Sequence, residues 1–443
     1  SMSWARALCG AQQASSSTSS KATGIFPLEE RAGVVRAAAG EFTEVEPASN
    51  WRKLQRAAVP LSSDPKAHSV RPWTVEADMK RPLPRFLPIW SLLLTFAAIL
   101  AAVPCTAAPV VSSDGYEGRD FWIAFPQNAN TAEGARLQLS ITISSESRTH
   151  GAIYTFTGED SIAFSVEAGA STTIEVDTTL ELSTSGLVEN KAMHIVSDRN
   201  VSVLVVTHRK ASTESYMAIP TPYLGREYRA LGYTAPQRLD TGLTSQFAII
   251  ATEPSTMVTV RLTAPTRDGL PVGRTVTLMM QPGQTLLYQE GSHPGVSYDL
   301  TGSIVASTKP VAFLTGHRCA QVPEDRSFCD ALLEMEPPVS DWGTEFALGR
   351  FAERESYVIR VLAREDSTEV VIGGEHKATL RSGYYFEERL QTDALLRTSH
   401  PALVAQYGPS GSADPTKVSD PFLVFVIPTN RYLKEVTASS VVD

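Results

Sequence analysis

Apolar and polar side chains alternate along most of the chain beyond residue 112. In Leu137-Gln138-Leu139-Ser140-Ile141-Thr142-Ile143 the odd positions are apolar and the even ones polar, the period-two pattern of a strand with one wet face. Val258-Thr259-Val260-Arg261-Leu262 repeats it. Glu369-Val370-Val371-Ile372, Gly373-Gly374 and Glu375-His376-Lys377-Ala378 predict a hairpin, because paired glycines supply the positive φ that a two-residue turn requires. No window beyond residue 112 carries three turns of a helical stripe. The pattern predicts an all-β, mostly antiparallel fold.

Four landmarks recur in the same order three times. A glycine, a spacer, an acid and an aromatic open each block: Gly118-Arg119-Asp120-Phe121, Gly225-Arg226-Glu227-Tyr228 and Gly343-Thr344-Glu345-Phe346. A glycine turn comes second, at Glu167-Ala168-Gly169-Ala170, Gln281-Pro282-Gly283-Gln284 and Arg381-Ser382-Gly383-Tyr384. Next come the late apolar strands Val201–Val206, Pro310–Leu314 and Pro401–Ala405, and then a proline, Pro220, Pro338 or Pro428. Repeats of this length are whole β domains, so three diverged sandwich-like units are expected in tandem, over residues 112–222, 223–340 and 341–443.

Upstream, Met79-Lys80-Arg81-Pro82-Leu83-Pro84-Arg85 is basic, residues 86–103 are apolar, and Cys105-Thr106-Ala107 are small. This predicts a signal peptide over residues 79–107, cut between Ala107 and Ala108. An uncleaved anchor is the alternative, and either one exports the remainder of the chain. Residues 1–78 are rich in Ala, Ser, Arg and Pro without sustained periodicity, as expected of a disordered or over-extended leader ahead of a start at Met79.

The formal charge is −9, although the first 85 residues hold 12 Lys and Arg against 8 Asp and Glu. The excess acid therefore lies in the exported part, which argues against a nucleic-acid partner. Removing the signal takes away Cys9 and Cys105 and leaves Cys319 and Cys329 as an even pair. In an exported chain a disulfide closing that short loop is expected.

Around this loop a family resemblance becomes visible. The stretch Asp299-Leu300-Thr301-Gly302-Ser303-Ile304, Lys309-Pro310-Val311-Ala312-Phe313 and Gly316-His317-Arg318-Cys319-Ala320-Gln321-Val322-Pro323 resembles the N-terminal domain of the IgG Fc binding protein family. Cys329-Asp330, Leu333-Glu334, Pro337-Pro338-Val339 and Trp342-Gly343 continue the match, and residues 118–128 and 223–228 resemble the same family's openings. The similarity extends over residues 115–430. It implies an extracellular, non-catalytic binding role and a Cys319–Cys329 pair. Mucin cross-linking through cysteine-rich von Willebrand type D units is not carried over to a chain with four cysteines, nor is Fc binding.

Enzyme signatures are missing from the sequence: no Gly-x-Ser-x-Gly elbow, no His-Glu-x-x-His helix, no phosphate loop and no calcium loop. Glu324-Asp325 and the pair Glu334 and Glu336 are the carboxylates that acid–base chemistry would use, and solvated surface is their bland reading. His208-Arg209 and His317-Arg318 come after the late strands at matching points and, with Trp342, are loop candidates for binding. The bland reading gives the histidines a strand edge to cap and the arginines a nearby acid. Tyr384-Tyr385-Phe386, Trp342 and Phe121-Trp122 hint at stacking on sugars, against the core role that alternation gives most aromatics. The leading expectation is a secreted or surface-attached binding and adhesion module for a glycoprotein, glycan or protein, reaching the membrane only through its signal or anchor segment. A structural spacer or self-associating component is the alternative, with a hydrolase third. Neither a cofactor nor a metal is called for.

Overall fold

Every regular element among the described residues is a strand or a single 3₁₀ turn, and no α-helix occurs among them. The computed structural model describes residues 34–37, 116–129, 136–156, 161–234, 243–291, 298–413 and 419–432. The signal segment, its cleavage point at Ala107 and Ala108, the Met79 start and the rest of residues 1–78 lie outside the described residues. No helix among the described residues is long and apolar enough to cross a membrane.

Three main sheets share one pairing scheme. Sheet I contains β1 (Gly118–Ile123), β2 (Gln138–Ser145), β3 (Thr149–Thr155), β4 (Ser161–Val166), β5 (Ala170–Val176), β6 (Met193–Arg209) and β7 (Ser212–Met217). Sheet II contains β8 (Gly225–Arg229), β9 (Ser245–Ala251), β10 (Thr256–Arg261), β11 (Thr275–Met280), β12 (Thr285–Gln289), β13 (Ile304–Ala320) and β14 (Asp330–Met335). Sheet III contains β15 (Gly343–Leu348), β16 (Tyr357–Ala363), β17 (Thr368–Ile372), β18 (Glu375–Leu380), β19 (Tyr384–Leu390), β20 (Ala394–Gly408) and β21 (Phe422–Phe425).

In each sheet one long strand, β6, β13 or β20, serves two layers. Its N-terminal half pairs with the first and third strands, and its C-terminal half with the second and seventh. The third strand also pairs with the fourth, and the second with the fifth. All these ladders are antiparallel, which short turns can close.

The glycine turns join the fourth strand to the fifth in every sheet. Gly169, Gly283 and Gly383 hold φ of 71°, 80° and 82°, a left-handed conformation that glycine takes without steric cost. Their N–H groups donate to Ser145, Ala251 and Ala363 at the end of each second strand.

The opening motif is explained residue by residue. Phe121, Tyr228 and Phe346 are buried in the cores. Asp120 accepts from Thr221 and pairs with His194; Glu345 accepts from Thr429 (3.2 Å) and Arg397 (2.8 Å). Gly118, Gly225 and Gly343 press against Pro220, Pro338 and Pro428, which leave no room for a Cβ. Each proline precedes a 3₁₀ turn, Thr221–Tyr223, Val339–Asp341 or Thr429–Arg431, so the segment leaving a sheet is clamped onto that sheet's first strand. Gly225→Ala is therefore expected to cost about 1–3 kcal/mol, because a proline ring cannot rotate away as a flexible side chain would. A denaturant midpoint unchanged from the parent would contradict this clamp.

The cores run between sheets. β9 is buried along its whole length: Phe247, Ile249 and Ala251 face the core of sheet II, while Ala248 and Ile250 join Ala312, Leu314, Leu333 and Met335 in the core of sheet I. β16 behaves alike, with Ile359 and Val361 in sheet III's own core and Val358 and Leu362 among Leu231, Tyr233, Val339 and Trp342 of the preceding segment. The second strands of sheets II and III thus read as continuous apolar runs, as expected for strands covered on both faces, whereas β2 keeps its alternation.

Outer edges are treated unequally. Val188–Glu189, from the connection before β6, adds antiparallel to β12, and Val34–Ala37 adds antiparallel to β19. β11 ends its sheet with no strand beyond it among the described residues.

Candidate functional site

The loop between β13 and β14 is tethered at both arms. Ala320 pairs across the ladder with Asp330, and the Cys319–Cys329 disulfide closes the loop beside that pair. Val322 is buried, receives the Ser410 N–H on its carbonyl (2.7 Å) and donates its own N–H to Ser410 Oγ (2.9 Å). Ser327 donates to Ser412 Oγ at 2.6 Å and accepts from the Ser412 N–H at 3.4 Å. Both arms are thereby fastened to the segment after β20.

Between Ser327 and Cys329, Phe328 has φ of 71° and is 61% exposed. A phenylalanine in the left-handed region costs on the order of 1–3 kcal/mol and persists only where its surroundings impose it. Here the disulfide on one side and the serine ties on the other impose it. The result is an aromatic ring held out into solvent on an anchored backbone. Asp325, exposed, and the half-buried Arg326, 3.5 Å apart, lie on the same loop.

The residues singled out from sequence lie in ladders and cores more than in loops. His208 and Arg209 are the last two residues of β6. His208 Nδ1 meets Thr213 Oγ1 at 2.6 Å, and Arg209 Nη2 donates to both carboxylate oxygens of Glu181 at 3.0 and 2.9 Å. His317 and Arg318 lie within β13. His317 is fully buried, its Nδ1 accepts from the Cys319 N–H (3.0 Å), and burial pushes its pKa down to about 3, so the ring is neutral. Burial likewise pulls Arg318 down to about 10. Trp342 follows a 3₁₀ turn, and its ring lies in the core shared by sheets II and III.

The two His-Arg pairs are not at matching points. Leu204 faces Met217 as Leu314 faces Met335, so Thr207 is the counterpart of His317, and His208 that of Arg318. A shift of one residue turns a strand side chain to the opposite face. The aromatic runs are mostly interior: Phe121, Trp122, Tyr385 and Phe386 are buried, and Trp122 stacks on His194 with centroids 4.2 Å apart.

The carboxylates are also drawn into the junctions. Glu336 is fully buried, accepts the Leu231 N–H (3.1 Å) and is held well above the usual carboxylate range by burial. Glu334 is half-buried and pushed up to about 8 by desolvation. Asp330 is buried and rises to about 7 through desolvation, and Glu214, buried on β7, is raised by desolvation and then by the Asp330 charge. No group of three or more His, Cys, Asp or Glu among the described residues is placed to hold a metal ion.

Sequence reasoning missed a buried side chain that joins several partners. Arg360 of β16, fully buried, crosses from sheet III into the connection before β9. Nε donates to Glu387 (2.7 Å), Nη1 to Asp299 (2.8 Å) and the Gly232 carbonyl (2.9 Å), and Nη2 to Thr234 (2.9 Å). The guanidinium lies between the rings of Tyr233 and Tyr385, at 4.2 and 4.3 Å. The signal was a lone charge inside Tyr357-Val358-Ile359-Arg360-Val361-Leu362, a strand otherwise apolar on both faces.

The family model described as IgGFc binding protein matches residues 214–442. The human IgGFc-binding protein is 26% identical over 361 residues, which is 80% of this chain and 6% of that protein. The chain thus spans a small part of that relative's length, and no solved structure matches it. With the matched segment running from β7 through sheets II and III, the disulfide loop and the Arg360 junction included, the chain belongs to the IgGFc binding protein family.

Proposed function

We propose that the chain is a non-enzymatic extracellular binding module whose three sheets are diverged copies of one sandwich-like unit, over residues 112–222, 223–340 and 341–443. Its partner is a surface protein, glycoprotein or glycan. The observation that carries this reading is the presentation of Phe328 by the disulfide loop. A rigid aromatic with little entropy left to lose is the type of group that dominates binding energy at interfaces. The human relative's name supports binding as the mode of action. Export through the segment at residues 79–107 belongs to the same proposal.

The test presents the full chain to immobilised mucins, a glycan array and IgG Fc. Saturable, competable binding to one class is expected, with Phe328→Ala weakening it at least tenfold and leaving the melting temperature unchanged. Binding that is unaffected by Phe328→Ala would remove the loop from the interface. The spacer reading is favoured by one feature, the burial of both faces of β9 and β16, which packs sheets II and III each against residues of the preceding sheet or segment. Absence of saturable binding to all three ligand classes would move the reading there.

A further inference from the structure

We propose that β11 is a self-association edge, on which a second copy of this chain adds its own β11 antiparallel about a twofold axis at Thr277. Open edges are ordinarily blunted by charge, proline, bulges or a covering segment. β11, Thr275-Val276-Thr277-Leu278-Met279-Met280, has no charge and no proline, its register with β10 is unbroken, and no described strand covers it. The corresponding edges elsewhere are protected: β18 carries Glu375, His376 and Lys377, and in sheet I the Thr172 hydroxyl of β5 donates to the Ser165 carbonyl of β4, tying the two edges together.

Ladder phase determines which groups face outward. The hairpin closes with the Leu262 N–H on the Arg274 carbonyl and the Gly273 N–H on the Leu262 carbonyl. Antiparallel ladders alternate, so Val276, Leu278 and Met280 bond to β10, and Thr275, Thr277 and Met279 direct their N–H and C=O groups outward. Two such edges pair with Thr277 opposite Thr277, and Thr275 opposite Met279.

The side chains suit that register. On the outer face Met279 is 62% exposed beside Met257 at 45%, so the Met279 thioether covers the partner's Thr275. On the inner face the half-buried Val276 and Leu278 meet each other's counterparts and extend the core of sheet II. Arg274 falls opposite Met280, so no like charges meet, although the chain as a whole is acidic. Sheet addition already operates within the chain, where Val188–Glu189 extends β12. The interface is isologous, as a twofold requires.

The test compares full-length parent, Thr277→Lys and Thr277→Pro by sedimentation equilibrium over a hundredfold concentration range, with hydrogen exchange read at both ends. The parent is expected to shift from one chain toward two, with the Thr277 amide exchanging more slowly at high concentration. Each variant is expected to weaken association at least tenfold, while Thr379→Lys on the already charged β18 leaves it as in the parent. Thr277→Pro removes an outward N–H; if circular dichroism shows it unfolded, Thr277→Lys, which leaves every N–H in place, decides alone. A parent that stays at the mass of one chain, or variants that associate as the parent does, would overturn the proposal. Because Phe328 lies on a different loop, failure here is separable from failure of the binding reading.

Discussion

Arg360→Ala is expected to destabilise the protein by about 3–5 kcal/mol, the largest effect of any single substitution considered, because removing one partner of a buried ion pair strands the others. Asp299 and Glu387 would remain in the junction without their cation, and the Gly232 carbonyl and Thr234 would each lose a donor. Arg360→Lys is expected to recover only a minor part. An ammonium cannot reproduce the planar fork that reaches Glu387, Asp299 and Thr234 while lying between two tyrosine rings. Chemical denaturation of the three proteins measures this, with tryptophan emission reporting on the junction through Trp342. Losses below about 1 kcal/mol for Arg360→Ala would show that the guanidinium is dispensable to the join between sheets II and III.

Thermal stability is expected to rise on acidification from pH 8 to pH 5.5, opposite to the usual behaviour of carboxylates in ion pairs. Asp330 and Glu290 are buried, and desolvation pushes their folded-state values up to about 7 and about 8. A carboxyl raised on folding contributes its full stability below the unfolded value, near 4, and loses it as pH rises through the folded value. Glu214, Glu334 and Glu336 act in the same direction. His317 opposes them: its pKa is depressed by burial, so its contribution is complete above about 6.5 and declines as pH falls toward 3. Between pH 8 and 5.5 these five carboxyls outweigh the one imidazole. Below pH 4 the ion-paired Asp299, whose burial is outweighed by the Arg360 charge so that its carboxyl is held low, begins to lose its contribution as well. The melting temperature is expected to increase by several degrees from pH 8 to 5.5, and Asp330→Asn with Glu290→Gln to flatten that slope. A melting temperature that falls over the same interval would contradict the assignment of neutral, buried carboxyls.

How far the sequence revealed this molecule depends on which residues are asked. The glycine turns, long strands, opening aromatics and prolines fall at corresponding ladder positions in all three sheets, because each is fixed by local chemistry: a positive φ, an apolar run, a missing N–H. The disulfide was legible from the expected export and the even number of cysteines left beyond the signal segment. The two-sided burial of β9 and β16 was not used, although the unbroken apolar runs record it, since period-two reasoning assumes that one face stays wet. Arg360 was hidden for the same reason, because its role depends on which face meets the preceding sheet. The His-Arg pairs were misaligned by one residue, a slip that only the ladder register exposes. Phe328 was overlooked because an aromatic is taken as core by default, and its exposure results from ties made 85 residues away in sequence.

The two-sided strands give the chain a direction. β2 keeps its apolar side chains on one face, in its own core, and polar ones on the other, whereas β9 and β16 each turn a second apolar face toward residues that come earlier in the sequence. A polypeptide lengthening from its N-terminus lays down each template before the strand that needs it. Made from the other end, the same faces would stand bare while they waited. Order of synthesis and order of docking coincide, and the dependency runs one way along the molecule.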